Sequence, residues 1–224
     1  MKTHSSVTVL GAGNWGTSLA VLLSRKKIPV CLHSVFDDHN QILAKERTNQ
    51  QFLPGIKFPP LLEIQPKLSI ALEKSSIIIV AIPVQFLRSF LRTVKKEPVD
   101  FSEKIFVSVS KGLEVKSFCR PSQMIQQIVM PKAVAVLSGP NIAKEVVLGR
   151  PSVAVIACKN KSLARQLQGI LSFPGFRLYA HQDVLGVELG AALKNVIAIA
   201  CGISDGLGFG INTKAALATR GLAE

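Results

Sequence analysis

The segment Val7-Thr8-Val9-Leu10-Gly11-Ala12-Gly13-Asn14-Trp15-Gly16-Thr17 constrains most tightly what this chain can fold into. A short apolar run enters Gly-x-Gly-x-x-Gly and continues at once into the helix-like Ser18–Ser24. Each glycine has a separate physical task in such a strand–turn–helix unit. Gly11 permits the tight turn, Gly13 lets backbone approach a pyrophosphate, and Gly16 lets the helix pack closely on the strand. The unpaired N–H groups and the positive end of the helix dipole then converge on one point, which suits an anion. An ordinary structural turn is the plainer alternative. The flanking strand and helix favour a dinucleotide site.

With 224 residues, 48% of them apolar, the chain is long enough for one large domain, or one domain plus part of another. Apolar runs such as Ile77–Pro83 are too short to cross a bilayer, which argues against an integral membrane segment. The N-terminal apolar stretch is broken by Asn14 and closed by Arg25-Lys26-Lys27, with no small-residue cleavage site, so a cytoplasmic protein is expected. Cys31, Cys119, Cys158 and Cys201 lie far apart without C-x-x-C or paired histidines. That spacing favours reduced thiols over a metal site or disulfides. The formal charge of +13 invites a nucleic-acid reading. Its basic residues are scattered, however, and one Tyr and one Trp make no platform for stacking bases. A field that attracts small phosphorylated anions explains the charge equally well.

Strand-like runs at Val7–Gly11, Pro29–His33, Ser76–Pro83, Ile105–Ser110, Ala133–Ser138, Ser152–Cys158 and Arg177–Ala180 alternate with helix-like segments. Those helices fall at 14–26, 38–46, 84–96, 120–129, 141–148 and 161–172. This alternation predicts an α/β, doubly wound, Rossmann-like N-terminal domain with ligands at the carboxyl ends of its strands. Phe52–Pro60 carries four breakers and reads as an irregular insertion. From Asp183 the character changes: Asp183 caps an Ala-rich apolar helix over 184–200, expected to be buried on most sides. The chain therefore divides into a dinucleotide-binding domain, 1–182, and the start of an all-helical domain, 183–224. Thr213–Glu224 reads as a helix without a stop signal. So short a helical part implies either a fragment or a partner subunit, such as a homodimer mate.

Several clusters carry chemistry. Ala81-Ile82-Pro83-Val84 ends a buried run where a loop would pass beside a nicotinamide ribose, or is a plain strand end. Ser110-Lys111-Gly112 puts a lysine at the ligand edge of the sheet, or on its solvated surface. Ser138-Gly139-Pro140-Asn141-Ile142-Ala143 opens a helix whose N–H groups face an anion or polar substrate. Lys194-Asn195 interrupts an apolar helix. Burial there would lower the lysine's pKa and suit it to proton transfer, unless it snorkels to solvent. Gly186 and Gly190, on the same helix face, would let a ligand or another backbone come close.

Together with Phe52-Leu53-Pro54, Asn141–Glu145, Gly190–Gly206 and Thr219–Glu224, these motifs resemble bacterial NAD(P)-dependent glycerol-3-phosphate dehydrogenases along the whole chain. The Leu-Lys-Asn-Val-Ile-Ala block with Ser-Asp-Gly is its most specific part. The resemblance implies reversible hydride transfer between NAD or NADP and dihydroxyacetone phosphate, giving sn-glycerol 3-phosphate for phospholipid synthesis. It implies cofactor contacts at Gly11, Gly13, Asn14, Trp15, Gly16, Lys111 and Ala143, and no metal. Substrate contacts are implied at Lys111, Gly139, Asn141 and Lys194, with Lys194 the proton donor and acceptor, held by Asn195 and Asp205.

Two features depart from that family. Its members run longer, and the further part holds an Asp and a Ser-Arg-Asn run that grip the substrate phosphate. A chain of this length is therefore also readable as a catalytically silent nucleotide-binding fragment. A different reductase of the same plan, acting on a hydroxyacid, is another alternative. The second strand ends His33-Ser34-Val35-Phe36, with Asp37 and Asp38 only later and no Arg, which leaves NAD against NADP open.

Overall fold

The computed structural model describes residues 6–223. The chain opens with β1 (Val7–Leu10), α1 (Asn14–Arg25), β2 (Val30–His33), α2 (Asp37–Glu46), β3 (Thr48–Asn49), β4 (Leu53–Lys57) and β5 (Leu62–Ile64). It continues through α3 (Leu68–Glu73), β6 (Ile77–Val80), α4 (Val84–Lys96), β7 (Ile105–Ser108), α5 (Pro121–Ile128) and β8 (Ala133–Ser138). Then follow α6 (Ala143–Val147), β9 (Ser152–Cys158), α7 (Lys161–Leu171), β10 (Phe176–His181), α8 (Val184–Gly206) and α9 (Gly210–Ala223).

Eight strands form one sheet in the order β10-β9-β8-β7-β6-β1-β2-β5. All neighbours are parallel except β8 and β9. The period of two in a strand sorts its apolar residues between two cores. Val7, Val9, Ile77 and Ile79 face α1, α6 and α7, whereas Leu10, Ile78 and Val80 face α4 and α5. This is the doubly wound arrangement expected from the sequence, and its order reverses between β6 and β1. Ligands in such sheets settle beyond the carboxyl ends at that reversal.

The structure corrects several expectations. The 52–60 stretch is not irregular: β4 pairs antiparallel with β3 across a register shift. Leu53 and Ile56 are buried, so the ribbon accommodates Pro54 and Gly55 while still covering apolar surface. β5 and α3 lie in a region where no element was expected, and β5 extends the sheet beyond β2. Helix α8 runs to Gly206 and begins at an Asp183 cap, whose Oδ1 accepts from the Gly186 N–H at 2.8 Å. It is not buried on most sides: only Glu188 and Ser204 are buried in it, because among the described residues just β8, β9 and α9 pack on it appreciably. At 23 residues it is also long and apolar enough, by length and composition alone, to cross a membrane, contrary to the reading that every apolar run is too short.

Many cations are tied to carbonyl oxygens. Arg25 donates to Val147, Lys26 to Gly169, Ile170 and Ser172, Arg47 to Pro59 and Leu62, and Lys104 to Ser75. Part of the positive charge thus closes helix ends and loops, a structural use that needs no polyanionic partner.

Candidate functional site

The carboxyl ends of β1, β2, β6 and β7 open on a crevice of about 900 Å³. Gly11, Gly13, Asn14, Trp15 and Gly16 form one wall. Gly11 turns with φ +108°, and a Cβ there would lie 2.5 Å from the Ala81 carbonyl oxygen. At Gly16 a Cβ would come within 1.9 Å of the Gly11 carbonyl oxygen, so α1 can approach β1 only with hydrogen at that position. Gly13 differs: nothing lies within 4 Å of where its Cβ would be. It is the N-cap of α1, whose first turn carries no acidic side chain. One first-turn donor, the Trp15 N–H, bonds Asn14 Oδ1 at 2.8 Å. An open cradle of backbone facing a positive helix end fits a pyrophosphate, and the crevice volume fits a dinucleotide.

The strand ends are knitted together. Gly11 N–H donates to His33 O at 2.9 Å, Ala81 N–H to Leu10 O at 2.8 Å, and Val109 N–H to Val80 O at 3.0 Å. Ser110 Oγ donates to Ile82 O at 2.5 Å, which brings the loop after β7 against the loop after β6. This holds Lys111 at the far side of the crevice from β2.

Lys111 Nζ donates to Gly139 O at 2.8 Å and is half-buried. Burial holds its pKa below 10.5, and the positive charge of Lys194 lowers it further. The two amines therefore sense one another across the junction between the sheet and α8. Lys194 itself is exposed, a correction to the expectation that it is withdrawn from solvent. Its helix face is not covered among the described residues. Its Nζ donates to Asn195 Oδ1 at 2.8 Å.

Other expected site residues separate from this group. Asp205 does not hold Lys194; it pairs with Lys214 at 2.6 Å, the nearer cation once α9 turns back along α8. Asn141 Nδ2 donates to Val153 O at 2.9 Å, tying it to β9. Ala143 is buried behind the glycine wall, where its carbonyl accepts from Ser18 Oγ at 3.3 Å. Neither Asn141 nor Ala143 lines the crevice. Gly186 does not open space for a ligand, since a Cβ there would meet Asp183 Oδ2 at 2.3 Å; its smallness serves the helix cap.

Other lining residues escaped the sequence reading. Phe86, Thr93 and Glu97 reach the crevice from α4 and its C-cap, and an exposed aromatic on an otherwise amphipathic helix was the available signal for Phe86. Glu188 was missed too. It is buried on α8, where it pairs with Arg120 at 2.6 Å and accepts from the Ser122 N–H at 2.8 Å and Oγ at 2.5 Å. It thereby caps α5 and fixes the docking of α8, the helix that carries Lys194.

Comparison with known proteins agrees with this arrangement. Residues 6–164 match the profile of the NAD-dependent glycerol-3-phosphate dehydrogenase N-terminus, and residues 183–224 match that of the C-terminus. A glycerol-3-phosphate dehydrogenase (NAD(P)+) of Corynebacterium glutamicum is 42% identical over 98% of this chain, and one of Prosthecochloris aestuarii is 42% identical over 97%. The chain spans 66% of the length of each. The crystal structure of glycerol-3-phosphate dehydrogenase from Coxiella burnetii superposes with TM-score 0.87 at 34% identity, covering 98% of this chain and 66% of that one. The Plasmodium falciparum glycerol-3-phosphate dehydrogenase gives TM-score 0.90 at 26% identity, covering 98% and 64%. With a glycine cradle, a sheet-edge lysine and a profile match over most of its length, this chain belongs to the NAD-dependent glycerol-3-phosphate dehydrogenase family.

Proposed function

We propose that the protein reduces dihydroxyacetone phosphate to sn-glycerol 3-phosphate, reversibly and with NAD or NADP, in the cytoplasm and toward glycerophospholipid synthesis. The observation that carries this reading is the crevice walled by the Gly11–Gly16 turn and edged by Lys111, whose Nζ is held by the Gly139 carbonyl. Residues 1–182 would form the cofactor domain and 183–224 the beginning of the substrate domain, a division supported by the helix cap at Asp183. The buried Glu188 contacts hold α8 against the protein, which supports a soluble placement over a membrane-spanning one.

When bound, the dinucleotide supplies hydride to the carbonyl carbon. The residues do the rest. Gly11, Gly13 and Gly16 shape the cradle, and the Asn14 and Trp15 turn presents the N-terminus of α1 to the pyrophosphate. Lys111, pinned by the Gly139 carbonyl, places a positive charge between cofactor and substrate phosphate. Negative charge grows on the ketone oxygen as the carbonyl is reduced, and Lys194 stabilises it and delivers the proton that completes the secondary alcohol. Asn195 steadies that amine. Asn141 and Ala143 support the walls of the site.

A second reading is favoured by one observation. The apolar side of α8 is exposed at Leu193, Val196 and Ile199, so the substrate side of the site lacks cover among the described residues. On that reading the chain binds the dinucleotide without turnover. Oxidation of NADH or NADPH by dihydroxyacetone phosphate separates the two. Lys194→Ala should cut turnover by about 10²-fold or more while dinucleotide affinity stays within about twofold. Near-normal turnover in that variant would remove Lys194 from the mechanism, and tight binding without oxidation by the unaltered protein would favour the binding-only reading.

A further inference from the structure

Between β7 and α5 the chain runs through residues 109–120 without a helix or strand, and Lys111 lies near the start of that stretch. Such a segment has no ladder of its own, so its course depends on side chains that reach it from elsewhere. Upstream of the lysine, Ser110 is fastened to the Ile82 carbonyl. Downstream, Gly112 takes φ +100°, and a Cβ there would lie 3.2 Å from Val84 Cγ1. The chain thus turns directly onto the first residue of α4.

Two side chains of α4 then hold the loop. Gln85 Nε2 donates to Leu113 O at 3.0 Å, and its Oε1 accepts from the Val115 N–H at 3.2 Å. One primary amide therefore serves the backbone on both sides of Glu114, as a neighbouring strand would. Arg88 Nε lies 2.8 and 2.9 Å from the two carboxylate oxygens of Glu114, and Ser117 Oγ donates to the same carboxylate. Hydrogen bonding by Arg88, and after it by Ser117, draws the Glu114 carboxyl down to about 2, so the pair keeps its charges at neutral pH. Glu114 also closes the turn that follows. Its N–H donates to Cys119 O at 3.0 Å, and its carbonyl accepts from the Phe118 N–H at 2.8 Å.

The same helix walls the crevice. Phe86, Phe90 and Thr93 line it, at spacings of four and three that put them on one side of α4. Gln85 and Arg88, three residues apart, form the neighbouring side. Lys111 Nζ meets Gly139 O at 2.8 Å, but that single contact ends a flexible four-carbon stem and does not fix the backbone it springs from. The grips from α4 do.

We propose that Gln85 and Arg88 are positioning residues: they hold residues 113–115 on α4 and thereby set the Lys111 amine at the crevice edge, which rests on the role proposed for Lys111 between cofactor and substrate phosphate. An ion pair this near to solvent adds little to stability, so its loss should show at the lysine rather than in the unfolding midpoint.

Pulsed reductive methylation with formaldehyde, read by peptide mass spectrometry, measures how readily each amine is reached. Lys104 is the internal reference: it is also part-buried, donates to Ser75 O at 2.9 Å and sits at the other end of β7. Gln85→Ala and Arg88→Ala should each speed methylation of Lys111 about threefold or more, with Lys104 within about 1.5-fold. In NADH oxidation by dihydroxyacetone phosphate, the same variants should raise the KM for that substrate about fivefold or more, with a smaller fall in kcat. An unchanged Lys111 rate in both variants overturns the inference, as does an unchanged KM in active variants. Equal acceleration of Lys111 and Lys104 overturns it too, since the two side chains would then hold the fold at large. Failure of the unaltered protein to oxidise NADH counts against the proposed reaction, and the methylation rates alone then decide what positions Lys111.

Discussion

The α/β layer and the α8–α9 pair are both rich in apolar residues, yet only the first hides them. Ile78, Val80 and Leu10 are fully buried between the sheet and its helices. On α8, Leu193, Val196, Ile199 and Ile203 are all more than half exposed, while the residues that are buried are polar, Glu188 and Ser204. Apolar content therefore states what surface a segment would gain from covering, and not whether its own neighbours supply the cover. The layer closes its core with elements it contains. The helix pair is anchored at one polar point and leaves its apolar side facing outward among the described residues.

The sharpest way to break that contrast is a matched pair of truncations. Ile78→Ala should cost about 2–5 kcal/mol of stability, the usual penalty for emptying a filled core position. Ile199→Ala should stay within about 0.5 kcal/mol, as exposed substitutions do. Urea unfolding followed by far-UV circular dichroism reads both. If Ile199→Ala cost as much as Ile78→Ala, the outer face of α8 would have to be covered in solution, and the distinction between the two regions would collapse.

The anchor gives a smaller and more local effect. Glu188→Gln keeps the shape but removes the charge that faces Arg120, so a loss of about 1–3 kcal/mol is expected from the weakened buried contacts. Hydrogen exchange should speed up along α8 and at the first turn of α5, with β1 and β6 unchanged. Uniform protection in the variant would mean that α8 is held by something other than this carboxylate.

What was readable in the sequence follows from how local each signal is. The glycine turn, the buried runs of β1 and β6 and the Asp183 cap are written within a few residues, and the structure forms each of them there. β5 is three residues long, and its pairing partner β2 lies on the far side of α2, so only tertiary pairing makes it a strand. The antiparallel seam between β8 and β9 likewise has no local signature. At the crevice, the glycine wall and Lys111 were legible because strand ends face the ligand edge. Glu97 was not, since nothing in α4 reports that its C-cap lines the crevice. The pairing of Asp205 with Lys214 depends on how α9 folds back, which the sequence of α8 does not state. The exposure of Lys194 has the same origin: periodicity marked an apolar helix, and packing left it largely uncovered.

Lys111 is where the two regions meet electrostatically, and it gives the smallest expected effect. Burial lowers its pKa below 10.5, and Lys194 lowers it further. Between that lowered value and 10.5 the unfolded chain holds more protons than the folded one, so stability should rise with pH across the window. Below the window, the cost of burying the charged amine is present in full. Lys111→Met should remove this rise while keeping the side-chain length. Lys194→Ala should leave a smaller rise that begins at higher pH, because one of the two causes of the lowered value is gone. Unfolding midpoints measured from neutrality up to pH 10.5 test both variants. An unchanged profile in Lys194→Ala would mean that the amine of α8 does not act on the sheet edge, and that the helix pair sits too loosely to share a site with the α/β layer.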